Sequence, residues 1–334
     1  MTDPVIYGLS NEAYHHEAPY SEYLSSSQLK IYLKSPKAAK FALDNPTEEK
    51  SDALRFGSLF HDCMAALAEG VSMCEVLDAI PAFEPPINKN TGKPYGITSN
   101  PYKEACQSFT ESLNGVLAST AEEKELVSAM LNSLLYDGGA TSKQVRKALR
   151  YGKPEVSHFV EYEGCKFKFR PDLTTRYRRK GRQCADLYDW KSVATDDLSE
   201  ESINRIILKY GYHISASHYQ FFYHEQTGIW PGFILVLVSK VAPHDCVMVD
   251  MSHGIRDPYT GQITCYGYYY DRESDIVEMG CGAMEFKKLL DLHIKCTKGN
   301  HWPGAEQAIP DNNGVRILEI QPPRYYQSKF IEEI

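Results

Sequence analysis

The stretch KFKFRPDLTTRYRRKGRQCADLYDWKSV, Lys166 to Val193, decides the fold. Lys166 to Thr175 alternates, with Phe167 and Phe169 on one side. A basic turn carrying Gly181 follows, and Ala185 to Val193 reads as the returning strand. Residues two apart in a strand share a face, so Asp189 and Lys191 project together while Trp190 points into the opposite layer. Asp172 closes the preceding strand, where hairpin pairing sets it beside Asp189. Two carboxylates meeting from neighbouring strands repel unless a cation lies between them, and magnesium takes such ligands together with water and phosphate oxygens. Such an ion polarises a phosphoryl oxygen and lowers the pKa of water, and Lys191 is placed to orient that water. Asp-x-Lys is also a common surface pair, and Asp172 could simply cap a turn. Spacing alone leaves both readings open.

Working outward, the elements on either side change period. Upstream, Val156 to Tyr162 alternates and Glu163-Gly164 turns, completing a hairpin with the strand from Lys166. Before it the chain reads as helical. Ser25-Ser26-Ser27 supplies an N-cap, Leu29, Tyr32 and Leu33 keep helical spacing, and Ser35-Pro36 stops the helix. A second helix runs from about Asp52 to Leu67 with an apolar stripe of Phe56, Leu59, Phe60, Cys63, Met64 and Leu67. It carries His61, one turn after Gly57. Helical side chains lean toward the N-terminus, so the glycine leaves room beside the imidazole for a ligand. Residues 81–103, rich in Pro, Gly, Asn and Lys, form a long loop. Helices are expected across 102–119, 121–136 and 141–150.

Downstream, a helix from about Ser199 to Gln226 is expected, broken or kinked at Gly211. The apolar run Gly232 to Lys240 reads as a strand buried on both faces, paired with Cys246 to Met251. Residues 252–268 form an inserted hairpin or loop, 273–295 a helix, and the tail from Asn300 is irregular. The expected fold is α/β: a mixed central sheet flanked by helices, preceded by a helical part. The expected organisation is one domain over 1–334. Within it, 1–150 is mostly helical, 151–251 holds the sheet, and 252–334 adds the last helix and tail.

The balance of 36 Lys and Arg against 44 Asp and Glu leaves a net charge of −8, an unusual figure for a chain that grips phosphates. A local strip can outweigh the sum, and Arg176, Arg178, Arg179, Lys180 and Arg182 form one beside the acidic motif. The same strip is equally readable as a solvated turn. Nine cysteines contain no Cys-x-x-Cys pair, which argues against zinc ribbons and iron–sulfur clasps and for reduced thiols in a cytoplasm. No apolar run reaches membrane-spanning length, and the start of the chain lacks the pattern of a secretory signal. Gly280-Cys281-Gly282 and Thr91-Gly92-Lys93-Pro94 are fragments of phosphate-loop patterns without their context. His15-His16 reads as surface.

Taken in order, Phe56-Gly57-Ser58-Leu59-Phe60-His61, Glu155, Arg170-Pro171-Asp172 and Asp189-Trp190-Lys191 resemble the PD-(D/E)xK nuclease superfamily in its RecB-like branch. The closer likeness is to the RecE (exonuclease VIII) type of phages and prophages, and the Ser25–Pro36 opening and Trp302-Pro303-Gly304 are similar to it too. The resemblance implies a restriction-endonuclease-like core, with His61, Asp172 and Asp189 as metal ligands for Mg2+ (or Mn2+). It implies that Lys191 assists the water and that Glu155 occupies an upstream acidic position. It also implies an exonuclease on linear duplex DNA, 5′ to 3′, working as a ring-like homo-oligomer with a single-strand annealing partner in a bacterial host cytoplasm. Substrate contacts are expected from Tyr219, Arg176, Arg178 and Arg179. The family's Gln-x-x-x-Tyr motif is half kept, with Ser215 at the glutamine position. The rival readings are a single-strand or structure-specific nuclease, and an idle DNA-binding module of the same fold.

Overall fold

The computed structural model describes residues 4–46, 52–113, 119–256, 258–259 and 263–304. The N-terminal part runs through β1 (Val5–Ile6), α1 (Asn11–His16), α2 (Ser26–Leu29) and α3 (Pro36–Asp44). Ser25 closes a full capping box with Gln28 at the start of α2, so the serine run acts as the N-cap expected of it. Ser35-Pro36 does more than stop that helix. After a 3₁₀ turn at Lys30–Leu33, the Ser35 hydroxyl caps Ala38 and Pro36 opens α3, a position where its missing N–H costs nothing. Then come α4 (Asp52–Ala68), α5 (Met73–Ala79), β2 (Ala82–Phe83), α6 (Asn100–Ser112), β3 (Ser119–Thr120), α7 (Ala121–Asn132) and α8 (Ala140–Tyr151). The expected helix over 102–119 is therefore shorter, because Ser119–Thr120 pairs in parallel with Ala82–Phe83, and residues 114–118 lie outside the described set.

The sheet-forming half holds β4 (Lys153–Pro154), β5 (Ser157–Tyr162), β6 (Cys165–Phe169), β7 (Leu173–Arg179) and β8 (Arg182–Val193). It continues with α9 (Glu200–Tyr210), α10 (Tyr212–Thr227), β9 (Gly232–Ser239) and β10 (Cys246–Asp250). Two small hairpins follow, β11 (Ile255–Arg256) with β12 (Ile263–Thr264) and β13 (Tyr268–Asp271) with β14 (Ile276–Met279), before α11 (Cys281–Gly299). The helix expected from 273 thus begins only at Cys281. Gly280 sits where a Cβ would come within 2.2 Å of the Cys265 carbonyl oxygen, so the chain enters the helix through a contact only glycine allows. The tail beyond Gly304 lies outside the described residues.

The central sheet has the order β10-β9-β8-β7-β4, with β8 and β9 parallel and the other neighbours antiparallel. A second sheet, β1-β5-β6, stands apart from it. The strand read from Lys166 to Thr175 is therefore two strands in two sheets. The β5–β6 ladder ends at His158 opposite Phe169, and Pro171, with no N–H to donate, marks the crossing. The alternation of β8 sorts its side chains onto two cores. Ala185, Leu187 and Val193 pack with α9, α10, α11 and the β5–β6 hairpin, while Tyr188 and Trp190 pack with α4, α7 and α8. β9 divides likewise, Leu235 and Leu237 to the first core and Val236 and Val238 to the second, as a doubly buried strand should.

The break at Gly211 has a concrete cause. Its φ of 63° is left-handed, and a Cβ there would lie 2.8 Å from Lys30 Cδ. Gly211→Ala is expected to lower stability by about 1–2 kcal/mol, read as a reduced denaturant midpoint at unchanged slope.

Four histidines among the described residues lie buried around the first core, His158, His213, His218 and His293. Burial pushes His158 down to about 4, His218 to about 3 and His293 to about 4. His218 Nε2 donates to the Lys168 carbonyl at 3.1 Å, and His293 Nδ1 meets Tyr32 Oη at 2.7 Å. Because these folded-state values lie below the free value, the unfolded chain takes protons that the fold refuses. The stability from keeping the rings neutral is complete above pH ~6.5 and is lost as pH falls toward 4. At pH 5 the loss is about 2 kcal/mol per ring, and the melting temperature should fall by roughly 10 °C between pH 7 and 5. A flat profile over that interval would contradict the burial of neutral rings.

Candidate metal and catalytic centre

The register of the β7–β8 ribbon places the two acidic residues. Leu173 opposes Tyr188, so the next position outward sets Asp172 against Asp189. The ribbon is closed by Lys180-Gly181, both at positive φ (49° and 81°), the two-residue turn whose twist suits a hairpin. Asp172 Oδ2 accepts the Trp190 N–H at 2.5 Å, and its Oδ1 meets His61 Nδ1 at 3.0 Å. Asp189 Oδ2 lies 2.7 Å from Lys191 Nζ, which also donates to the Trp190 carbonyl at 3.2 Å. Both carboxylates are buried.

His61 arrives from α4, whose apolar stripe anchors it in the second core. At Gly57 a Cβ would find nothing within 4 Å, and Gly57, Ser58 and His61 all face one cleft. Glu155 sits at a left-handed φ of 48°, its N–H donating to the Asp172 carbonyl at 3.2 Å. Donor atoms of His61, Glu155 and Asp172 lie within 4.8 Å of one another. In this arrangement Asp189 stands on Lys191 rather than within that group.

The electrostatics fit a cation. Burial drives Glu155 up to about 7, and the neighbouring Asp172 charge adds to the push. Burial alone would raise Asp172, but His61 and Lys191 outweigh it and hold that carboxyl below its ordinary range. Asp189 is raised, chiefly by burial, against the pull of Lys191. Burial works against charge on Lys191, yet the carboxylates of Asp189 and Asp172 hold its pKa above normal. His61 is raised by Asp172 despite burial. Buried carboxylates beside one imidazole are a donor set suited to a divalent ion taking oxygen and nitrogen ligands, Mn2+ as readily as Mg2+.

The centre opens into a cleft of about 1340 Å³. Its walls include Lys168, Arg170, Lys191, Arg205, Lys209 and Lys240, with Tyr212 and Tyr219. Residues 25–258 match the family model described as a PDDEXK-like domain of unknown function (DUF3799). The chain belongs to this family. A crystal structure of a candidate exonuclease from Eubacterium rectale is similar over 96% of this chain and 98% of that one, at 15% identity and a TM-score of 0.42. No curated protein matches the sequence. Among the described residues, no helix is long and apolar enough to cross a membrane.

The PDDEXK-like chain brings His61, Glu155, Asp172 and Lys191 to the wall of the cleft, with Asp189 held behind it on Lys191. Tyr219 also lines it, half-buried between Phe169 and Phe233 at ring distances of 5.5 and 5.8 Å. Ser215 does not line it. The expected arginine contacts fall elsewhere. Arg176 donates to Tyr223 Oη at 3.0 Å, and Arg178 and Arg179 continue to the far end of β7. At 3.3 Å per residue that end is roughly 20 Å from Asp172, and none of the three lines the cleft. His15 and His16, read as plain surface, do line it.

The basic wall was missed because its residues are scattered. Arg205 and Lys209, four apart on α9, offered a usable signal, since that spacing puts both on one helix face. Lys168 offered none, because alternation with Phe167 and Phe169 pointed it to solvent, whereas it is 2% exposed.

Proposed function

We propose that this chain is a divalent-metal-dependent deoxyribonuclease that shortens linear duplex DNA from its 5′ ends. The observation that carries this is the meeting of Asp172, Asp189 and Lys191 with His61 and Glu155 at the head of a cleft walled by lysine and arginine. A magnesium or manganese ion held by His61, Asp172 and Glu155, whose donor atoms already meet, with Asp189 alongside on Lys191, would supply Lewis-acid polarisation of a phosphoryl oxygen and an activated water. Lys191 keeps its proton in this setting, orients the attacking water and offsets charge developing on the phosphorus oxygens. Asp172 fixes the His61 ring through Nδ1, and the Trp190 N–H fixes Asp172 in turn. Arg205, Lys209 and Lys240 take backbone phosphates, which position the strand without reading its bases. With a net charge of −8, attraction to DNA has to come from local basic surface, which this cleft provides.

The RecE-type likeness supports the finer reading: 5′ to 3′ action in phage-type recombination, as a ring-like homo-oligomer with a single-strand annealing partner in a bacterial cytoplasm. The 1–334 span then acts as one nuclease domain. The test uses linear and covalently closed duplex of the same sequence, labelled at the 5′ or 3′ end, with Mg2+. Early release of 5′ label and intact circles are expected. Nicked circles, or 3′ label released first, would contradict the exonuclease and polarity readings respectively.

A further inference from the structure

We propose that Lys168 and Arg170 form a phosphate subsite beside the metal centre, taking the backbone or terminal phosphate adjacent to the one being cleaved. It rests on the nuclease reading only in naming DNA as the bearer of the phosphate.

Both cations are at least nine-tenths buried, at 2% and 8% exposure, and both line the cleft. Arg170 is held in a fixed pose. Its Nε donates to Ser157 Oγ at 2.9 Å, its Nη1 to Asn11 Oδ1 at 2.7 Å, and its guanidinium lies 3.9 Å from the centre of the Tyr14 ring. Its Nη2 is buried without a hydrogen-bond partner. Lys168 Nζ donates to the carbonyls of Tyr14 and Tyr20 at 2.6 and 3.0 Å, which leaves one of its three protons over. Among the described residues the one carboxylate in ion-pair reach of either cation is Glu155, 3.7 Å from Arg170 Nη1.

Two buried positive charges share a single acid, and that acid is drawn toward His61 and Asp172 as well. An under-compensated buried charge is costly, more so with a donor left unmade. The mutual repulsion shows in Lys168, pushed down to about 8 by burial and by Arg170. An arriving anion relieves both terms. Phosphate is the anion that the neighbouring chemistry brings, and a guanidinium with its Nη2 donor unmade is suited to one of its oxygens. Glu155 bridges the two places, touching Arg170 on one side and the His61–Asp172 pair on the other. The subsite therefore adjoins the candidate cation site through Glu155.

The test is equilibrium binding of linear duplex in EDTA, so that no turnover occurs, over a range of salt concentrations. Arg170→Gln should weaken binding roughly tenfold and reduce the slope of log K against log salt by about 0.9, the loss of one phosphate contact. Arg170→Lys should keep the wild-type slope. Running 5′-phosphate and 5′-hydroxyl ends in parallel separates the sources: a slope change confined to phosphorylated ends assigns the terminal phosphate, and one seen with both assigns an internal diester. An unchanged slope with both ends overturns the subsite. If Arg170→Gln fails to fold, Lys168→Met carries the same measurement. Inorganic phosphate against wild type needs no variant: it should displace duplex more than chloride at matched ionic strength, and equal displacement overturns the proposal. Wild-type protein that binds with this slope yet leaves DNA uncut in Mg2+ sinks the nuclease reading and not the subsite.

Discussion

Asp172→Ala is expected to abolish nucleotide release, a loss on the order of 10³-fold or more, and to destabilise the fold as well. Removing a single electrostatic donor from an active site costs about 10²–10³, and Asp172 combines several roles. One oxygen holds His61 at 3.0 Å and the other takes the Trp190 N–H at 2.5 Å. Truncation leaves a buried backbone N–H and an imidazole without their acceptor, about 1–3 kcal/mol for each group left unmade. It also takes a charge from the proposed cation site. Wild-type protein should therefore melt at higher temperature with saturating Mn2+, since a ligand at a hundredfold its Kd adds about 2.7 kcal/mol. The variant should melt lower and gain little from the ion. Equal metal-induced shifts in the two proteins would place the ion elsewhere.

Lys191→Ala should be as damaging to turnover in kind but not to architecture. The ammonium stands 2.7 Å from Asp189 and retains its charge against burial because two carboxylates hold it. Without it, charge building on the phosphoryl oxygens loses a fixed positive partner, for a fall of about 10²–10³ in single-turnover rate. Trp190 still seats β8 in the second core, so the circular dichroism spectrum should be unchanged. Asp189, already raised by burial, loses the charge that opposes that rise. The cation concentration needed for residual activity should increase as pH is lowered. Lys191→Arg is expected to restore the rate only in part, because a planar fork does not occupy the position of a compact ammonium. A variant with wild-type rate would remove Lys191 from the mechanism.

The sheet and its acidic pair were legible because their cause is local. A two-residue turn at Lys180-Gly181 and strict alternation fix which residues oppose one another, and Asp172 and Asp189 follow from counting. Gly211 was legible for the same reason, as a glycine that interrupts a helical pattern, and the structure gives it the left-handed φ that ends α9. His61 could be singled out by the glycine one turn before it, but its partner Asp172 lies in a different element and was supplied by family order. What resisted reading depends on tertiary contacts. Pro171 carries the chain from one sheet to another, and nothing in the alternation of Lys166 to Thr175 distinguishes that from one long strand. The β13–β14 hairpin resembles the start of α11 until Gly280 is seen pressed on the Cys265 carbonyl. Arg176, Arg178 and Arg179 sit near the acidic motif in sequence, but the strand carries them away from it. Lys168, Arg170 and α1 reach the cleft through tertiary placement of the β5–β6 sheet, which the sequence pattern does not show.

If Asp172, Asp189 and Lys191 form one metal-dependent phosphodiesterase site, label release from end-labelled linear duplex needs both the ion and the lysine. Wild-type protein in Mg2+ is compared with the same protein in excess EDTA and with Lys191→Ala in Mg2+. Rapid release by the first, none in EDTA and a release slower by about 10²–10³ in the variant are expected. Equal release in all three would contradict the account.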